Sequence, residues 1–289
     1  MSSIVYLNGQ FLPRSEAKLS VDERAFFFGD GIYEVTRAIG GRLFEWPRHL
    51  RRLERGLREM RLTPSITGEE LESISLRLLR DNDFSDGEAA VYLEITRGAA
   101  PRTHHFPPPG TPCTIFLSAT RFTPPHDVRA KGGTAVTFPD FRWARGDIKS
   151  LNLIPSVLAK QHAVDNSATE AIFVRDGAMT EGSHTNVFGV FDGELRTYPE
   201  SNYILAGITR EVVLELAAEL GIPVRLMPIF TPEFAHIEEL FITGTTSDVM
   251  PIVALNGLPV GDGRPGRITM SLYEALVPRL AATGAAATV

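Results

Sequence analysis

The chain has very little cysteine and very little lysine, and both shortages narrow its chemistry. Cys113 is the single cysteine, which excludes an intramolecular disulfide and any metal site built from several thiolates. Of 29 basic residues only four are lysines, Lys18, Lys131, Lys149 and Lys160. No apolar run approaches the roughly 20 residues that span a bilayer, so no membrane partner is expected. Net positive charge is missing as well: the formal charge is −6, whereas a nucleic-acid backbone or an anionic membrane surface calls for clustered cations. The start, Met1-Ser2-Ser3-Ile4-Val5-Tyr6, lacks a basic segment followed by an apolar core, so no export signal is expected and the cytoplasm is the expected location. What remains, 289 residues that are 43% hydrophobic, suffices for one large or two modest globular domains.

Periodicity predicts a mixed α/β chain. Ile4–Leu7, an Asn8-Gly9 turn and Gln10–Leu12 read as a hairpin. Ile32–Ile39, Gly40-Gly41 and Arg42–Trp46 read as another. Pro47 suits the first turn of a helix carrying Leu50, Leu53 and Leu57, and Thr67 with Glu70 forms a capping box for the next. Strands at Ala89–Thr96 and Cys113–Ala119 complete a smaller N-terminal α/β domain over 1–120. Arg121-Phe122-Thr123-Pro124-Pro125-His126 breaks the pattern, giving an expected linker over 121–133 and a larger C-terminal domain over 134–289.

Lys149 lies in Asp147-Ile148-Lys149-Ser150-Leu151-Asn152, between an expected strand containing Trp143 and an apolar helix start. Arginine would serve if only a charge were wanted, but it can neither lose its proton nor form an imine; a desolvated lysine can do both. Gly207-Ile208-Thr209-Arg210 opens a helix whose free N–H groups and dipole favour an anion. Gly244-Thr245-Thr246-Ser247 offers backbone donors and hydroxyls after a strand. An imine-capable lysine with two anion-holding turns suggests a phosphorylated aldehyde cofactor, pyridoxal phosphate. Glu181, in Thr180-Glu181-Gly182-Ser183-His184-Thr185-Asn186, is an acid inside a sheet that needs a partner, and a protonated pyridine nitrogen would supply one. No metal site is expected.

The ordered set Gly29-Asp30-Gly31-Ile32-Tyr33-Glu34-Val35, Asp147–Asn152, Thr180–Ser183 with Asn186, Leu205–Arg210 and Thr243–Ser247 resembles the fold-type-IV pyridoxal-phosphate enzymes, aminotransferase class IV. The resemblance runs over nearly the whole chain. Within the family, Arg97-Gly98-Ala99-Ala100-Pro101-Arg102-Thr103-His104 and Trp143–Leu153 are similar to the D-amino-acid transaminases. The family also holds branched-chain and (R)-amine transaminases and aminodeoxychorismate lyases; Arg102 and His104 weigh against an enzyme with no α-carboxylate to hold. A cofactor-free binding protein on the same fold is the contrasting reading, and lysine at 149 with glutamate at 181 speaks against it.

The resemblance implies a two-domain fold, a ping-pong transfer of an amino group between D-amino acids (D-alanine, D-glutamate) and 2-oxo acids (pyruvate, 2-oxoglutarate), and a homodimer with shared active sites. It implies that Lys149 binds the cofactor and shuttles the proton, and that Glu181 partners the pyridine nitrogen. Arg52, rather than its neighbour Arg51, is implied to hold the phosphate with Ile208, Thr209 and Thr245, while Leu205 packs on the ring. Tyr33, Arg102 and His104 would hold the substrate carboxylate, the last two in the neighbouring subunit's site. Gly244 stands where the D-amino-acid enzymes have a serine, and Ser183-His184-Thr185 replaces three serines.

Overall fold

The computed structural model describes residues 3–285, so the outermost ends of the two expected domains, 1–2 and 286–289, lie outside the described residues. By its internal contacts the chain forms two compact units. One comprises the chain up to Thr123, the short segment Ile148–Asn152 and the chain from Leu280. The other comprises Pro124–Asp147 and Leu153–Arg279. The segment bearing Lys149 therefore packs with the N-terminal unit, although it is reached only after the chain has entered the other.

The first unit contains β1 (Ile4–Leu7), β2 (Gln10–Pro13), α1 (Arg24–Phe28), β3 (Gly31–Ile39), β4 (Arg42–Leu43), α2 (Trp46–Met60), α3 (Gly68–Asp81), β5 (Glu88–Thr96) and β6 (Ile115–Arg121). The strands make one antiparallel sheet in the order β2-β1-β6-β5-β3-β4. Asn8 and Gly9 both adopt positive φ in the β1–β2 turn, the backbone that Asn-Gly favours. The expected capping box is present: Glu70 N–H donates to Thr67 Oγ1 and Thr67 N–H to Glu70 Oε2. The second hairpin returns less far than its sequence suggests, because β4 stops at Leu43 and Trp46 already belongs to α2. Pro47 favours that early helix start.

Strand alternation divides the sheet into two faces. Ile32, Leu93, Ile95 and Leu117 are buried in one cluster with Leu53 of α2 and Leu71, Leu78 and Leu79 of α3. Each such fully buried side chain contributes about 1.5–3 kcal/mol relative to exposure. Tyr33, Tyr92, Glu94 and Phe116, of opposite parity, are only half-buried.

The second unit contains α4 (His126–Lys131), β7 (Gly133–Pro139), α5 (Ile154–Asp165), β8 (Glu170–Arg175), β9 (Ala178–Gly182), β10 (Asn186–Phe191), β11 (Glu194–Thr197), α6 (Ile208–Glu219), β12 (Val224–Leu226), β13 (Ile229–Phe230), β14 (Glu239–Gly244), β15 (Asp248–Leu255), β16 (Leu258–Pro259) and the start of α7 (Arg267–Ala285). Its strands run β12-β11-β10-β14-β15-β7-β8-β9-β13, with β16 on β15. The pairing of Glu181 in β9 with Asn186 in β10 joins this path back on itself, so Glu181 sits at the point where a barrel-like ring closes. Asp176-Gly177 and Asp192-Gly193 make the expected turns with positive φ.

Candidate active site

Gly31 explains how Lys149 reaches its position. A Cβ there would lie 2.8 Å from the Ile95 carbonyl oxygen and 2.8 Å from Leu151 Cδ1, so only glycine lets residues 149–151 lie along the start of β3. Tyr33 N–H donates to the Lys149 carbonyl at 3.0 Å, Leu151 N–H donates to the Gly31 carbonyl at 3.1 Å, and Ile32 bridges Ser150 in antiparallel fashion. Lys149 and Tyr33 thus face each other on the half-buried side of the sheet, with the ammonium 4.3 Å from the centroid of the Tyr33 ring. The expected strand around Trp143 is absent: Phe141–Arg145 form an irregular loop and Trp143 is exposed. Asp140 Oδ1 accepts from both the backbone N–H and the Nε of Arg142, a local closure that competes with a strand ladder.

On the helix side of the same strand, Glu34 holds Arg52. Arg52 Nε and Nη2 donate to its two oxygens at 2.7 and 2.7 Å, and His49 Nδ1 lies 2.9 Å from Oε2. Burial alone would raise the Glu34 carboxyl, but the charge and hydrogen bonds of Arg52 and then His49 outweigh it and hold the group well below the usual carboxylate range. His49 is pushed down, by burial first and with Arg52 and Lys149 adding to it, against the pull of Glu34. Arg52 is turned inward by this clamp, whereas Arg51 is exposed.

Arg102 and His104 stand elsewhere, on an exposed loop. The Arg102 guanidinium lies 5.3 Å from the Phe28 ring centroid, and the His104 ring lies 5.5 Å from the same ring. The loop is anchored from beneath. Arg24 donates to the Thr103 carbonyl at 2.8 Å and shares Asp30 with Arg97, which also donates to the Arg61 and Met60 carbonyls. The side chains of Arg102 and His104 are exposed in the single chain, not drawn to Lys149 and Tyr33.

In the second unit Glu181 is buried and accepts hydrogen bonds from three donors. Arg142 Nη1 bonds its Oε1, while Asn186 Nδ2 at 3.1 Å and Leu205 N–H at 2.9 Å bond Oε2. Burial pushes the Glu181 carboxyl up, and Arg142 and the Leu205 amide oppose that shift. Asp140 orients Arg142 through a fork of two 2.9 Å bonds and also pairs with Arg175. Against burial, these two arginines hold Asp140 down to about 2. Ile208 and Thr209 form the first turn of α6, which has no side-chain cap. A Cβ on Gly207 would fall inside the van der Waals shell of Asn186 Oδ1, so the glycine preserves the Asn186–Glu181 contact. Thr245 lies in the turn between β14 and β15, where Ser247 N–H donates to the Gly244 carbonyl.

Of the two departures from the family pattern, the run Ser183-His184-Thr185 has a local explanation. Ser183 and Thr185 donate to buried Glu170 at 2.5 and 2.9 Å, and His184 Nδ1 lies 2.9 Å from Ser183 Oγ. Two hydroxyls of that run are therefore kept for one buried carboxylate. A Cβ on Gly244 would meet only ordinary contacts, 3.4 Å from Thr185 Cγ2, so steric demand does not impose glycine there. Sequence reasoning missed Glu34, His49, Asp140, Arg142 and Glu170 as supports. Glu34, next to Tyr33, and His49, in the run His49-Leu50-Arg51-Arg52-Leu53, lay inside motifs; Asp140, Arg142 and Glu170 carried no signal.

Residues 31–255 match the family model for amino-transferase class IV, and the chain belongs to that family. Among curated proteins it is 41% identical to the D-alanine aminotransferase of Staphylococcus haemolyticus over 271 residues, covering 93% of this chain and 95% of that one. It is 38% identical to the D-alanine aminotransferase of Bacillus licheniformis, covering 94% and 95%. Among solved structures it resembles the branched-chain amino acid aminotransferase of Escherichia coli, with TM-score 0.89, 25% identity and coverage of 96% and 94%. It also resembles a T.th. branched-chain amino acid aminotransferase solved with pyridoxamine 5'-phosphate, with TM-score 0.87, 27% identity and coverage of 97% and 95%. The protein is an aminotransferase, and its substrates are amino and oxo acids. Among the described residues no helix is long and apolar enough to cross a membrane.

Proposed function

We propose that the protein transfers an amino group between D-amino acids, D-alanine and D-glutamate among them, and 2-oxo acids such as pyruvate and 2-oxoglutarate, using pyridoxal 5'-phosphate. The observation that carries this reading is the placement of Lys149 over Tyr33, in a chain 41% identical to D-alanine aminotransferases over 93% of its length. The residues fit the cofactor. The uncapped start of α6 has no Cβ on Gly207 to block it, and the buried Thr243 hydroxyl beside Gly244 makes no hydrogen bond among the described residues. When bound, the cofactor supplies an electron-poor ring that stabilises negative charge at the substrate Cα.

The chain's own residues do the rest. Lys149 would be the point of covalent attachment and then, as a free amine, would take a proton from the substrate Cα and hand it to the former aldehyde carbon of the cofactor. Glu181, steadied by Arg142, Asn186 and the Leu205 amide, accepts from the pyridine N–H. Leu205 packs on the ring. Arg52, with the Ile208–Thr209 turn and Thr245, holds the phosphate. Tyr33 contacts the substrate carboxylate. Arg102 and His104 clamp it by charged hydrogen bonds, reaching from their exposed loop into the neighbouring subunit of a cytoplasmic homodimer. A clamp at that end directs the Cα–H of a D-amino acid, not an L-amino acid, towards Lys149.

The test is a set of initial rates on D- and L-alanine, D- and L-glutamate, L-leucine and (R)-1-phenylethylamine for wild type and Arg102→Ala. Truncating one partner of a desolvated charge pair costs about 2–5 kcal/mol, so the variant should lose about 30-fold or more on D-alanine and far less on the amine. Faster turnover of L-leucine than of any D-amino acid would contradict the reading.

A further inference from the structure

We propose that Asp140 is a positioning residue for the cofactor's ring nitrogen: acting through Arg142, it keeps Glu181 a strong acceptor for the ring N–H. The proposal rests on the cofactor reading above. Four side chains of the second unit form a row of alternating charge. Arg175 Nε and Nη2 lie 3.2 and 3.1 Å from the two oxygens of Asp140. Asp140, whose side chain is fully buried, takes the Nε and Nη2 of Arg142 at 2.9 and 2.9 Å. That leaves Nη1 of Arg142 for Glu181 Oε1. Cation, anion, cation and anion follow one another, and the row ends on Glu181.

Asp140 sets both the main chain and the side chain of Arg142. Its Oδ1 accepts from the Arg142 backbone N–H at 3.1 Å. The guanidinium, forked by the same carboxylate, also donates to the Tyr203 carbonyl at 2.9 Å and lies 4.4 Å from the Phe173 ring centroid. Thr180, next to Glu181 in β9, donates its hydroxyl to Asp140 at 3.2 Å. At the far end, Arg142, Asn186 and the Leu205 amide fill three acceptor sites of Glu181. A carboxylate offers about four, so one remains for a ring N–H. Burial would raise the Asp140 carboxyl, but its two arginines outweigh burial, and the group is an anion at neutral pH. Loss of that charge acts in one direction by two routes. Arg142 would face Glu181 as an unbalanced cation and draw on the negative charge that a protonated ring nitrogen needs. Freed from its fork, Arg142 would also be less well aimed, and Glu181 would lose the partner that keeps it ionised.

The experiment titrates the full-length apoprotein by calorimetry with two ligands, pyridoxal 5'-phosphate and its carbocyclic analogue, in which C–H replaces the ring nitrogen. Wild type, Asp140→Asn, Asp140→Ser, Glu181→Gln and the double variant Asp140→Asn with Glu181→Gln are compared. Asparagine and serine can both accept from the N–H two residues on, so the loop closure is kept while the charge is lost. A unit charge acting over roughly 8 Å at an effective dielectric of about 20 is enough for a tenfold effect. Wild type should therefore prefer pyridoxal 5'-phosphate to the analogue, and Asp140→Asn and Asp140→Ser should each cut that preference about tenfold. The Kd of the analogue should stay within threefold of wild type. In the Glu181→Gln background, Asp140→Asn should change the preference less than twofold, because the two residues act as one unit. A change in preference below threefold overturns the proposal, as does an equal weakening of both ligands or a loss of all binding, either of which marks a merely structural role. Persistence of the full effect in the Glu181→Gln background overturns it too. A wild type with no preference for the ring nitrogen shows instead that the placement of Glu181 is wrong, and that failure is read from wild type alone.

Discussion

Replacing Glu34 with glutamine probes how Arg52, the proposed phosphate anchor, is held. Glu34 is buried and takes two hydrogen bonds from Arg52 and a contact from His49. Glutamine keeps the size but removes the charge, and its amide nitrogen turns a donor towards Arg52 or His49. Removing one side of a buried ion pair costs about 3–5 kcal/mol; because Arg52 is one-tenth exposed, the lower end of about 3 kcal/mol applies. At roughly 2–4 °C per kcal/mol, the Tm of the apoprotein should fall by about 6–12 °C at pH 7. The pH dependence has a definite sign. The folded pKa of Glu34 is depressed, so its stabilisation is fully present above the unfolded value of about 4.3 and is lost as pH falls below it. Scanning calorimetry between pH 7 and pH 3 should show the wild-type and variant curves converging in acid. A drop of less than 2 °C at pH 7, or a gap that widens on acidification, would refute the reasoning.

Arg52→Ala should weaken cofactor retention at least tenfold, measured as the visible absorbance left after gel filtration, while Arg51→Ala leaves it unchanged; the reverse result would mean that the exposed neighbour is the anchor. Gly207→Ala should displace Asn186 from Glu181 and cut cofactor retention about tenfold with the circular dichroism intact, and an unaltered Kd for pyridoxal phosphate would show that the close approach at Gly207 is not needed.

The hairpin at Asn8-Gly9, the capping box at Thr67 and the helix opened by Pro47 were legible because local backbone preference and tertiary packing agree at those positions. Trp143 was not legible. Its surroundings looked like a strand, but the side chain of Asp140 closes on Arg142 two residues away and takes the chain out of any ladder. Among the proposed site residues, Lys149 announced itself by residue type, since a scarce lysine in an arginine-rich chain invites a chemical explanation. Its supports did not. Glu34 and Arg52, or Glu181 and Arg142, are separated by 18 and 39 residues, and nothing in a single sequence says which buried acid meets which arginine.

Covalent trapping is the most direct measurement of all. Holoenzyme reduced with borohydride, digested and mapped by mass spectrometry should carry the pyridoxyl group on the peptide containing Lys149, and Lys149→Ala should carry none. An adduct on Lys131 or Lys160, or a Lys149→Ala protein that still traps the cofactor, would contradict the assignment on which the mechanism stands.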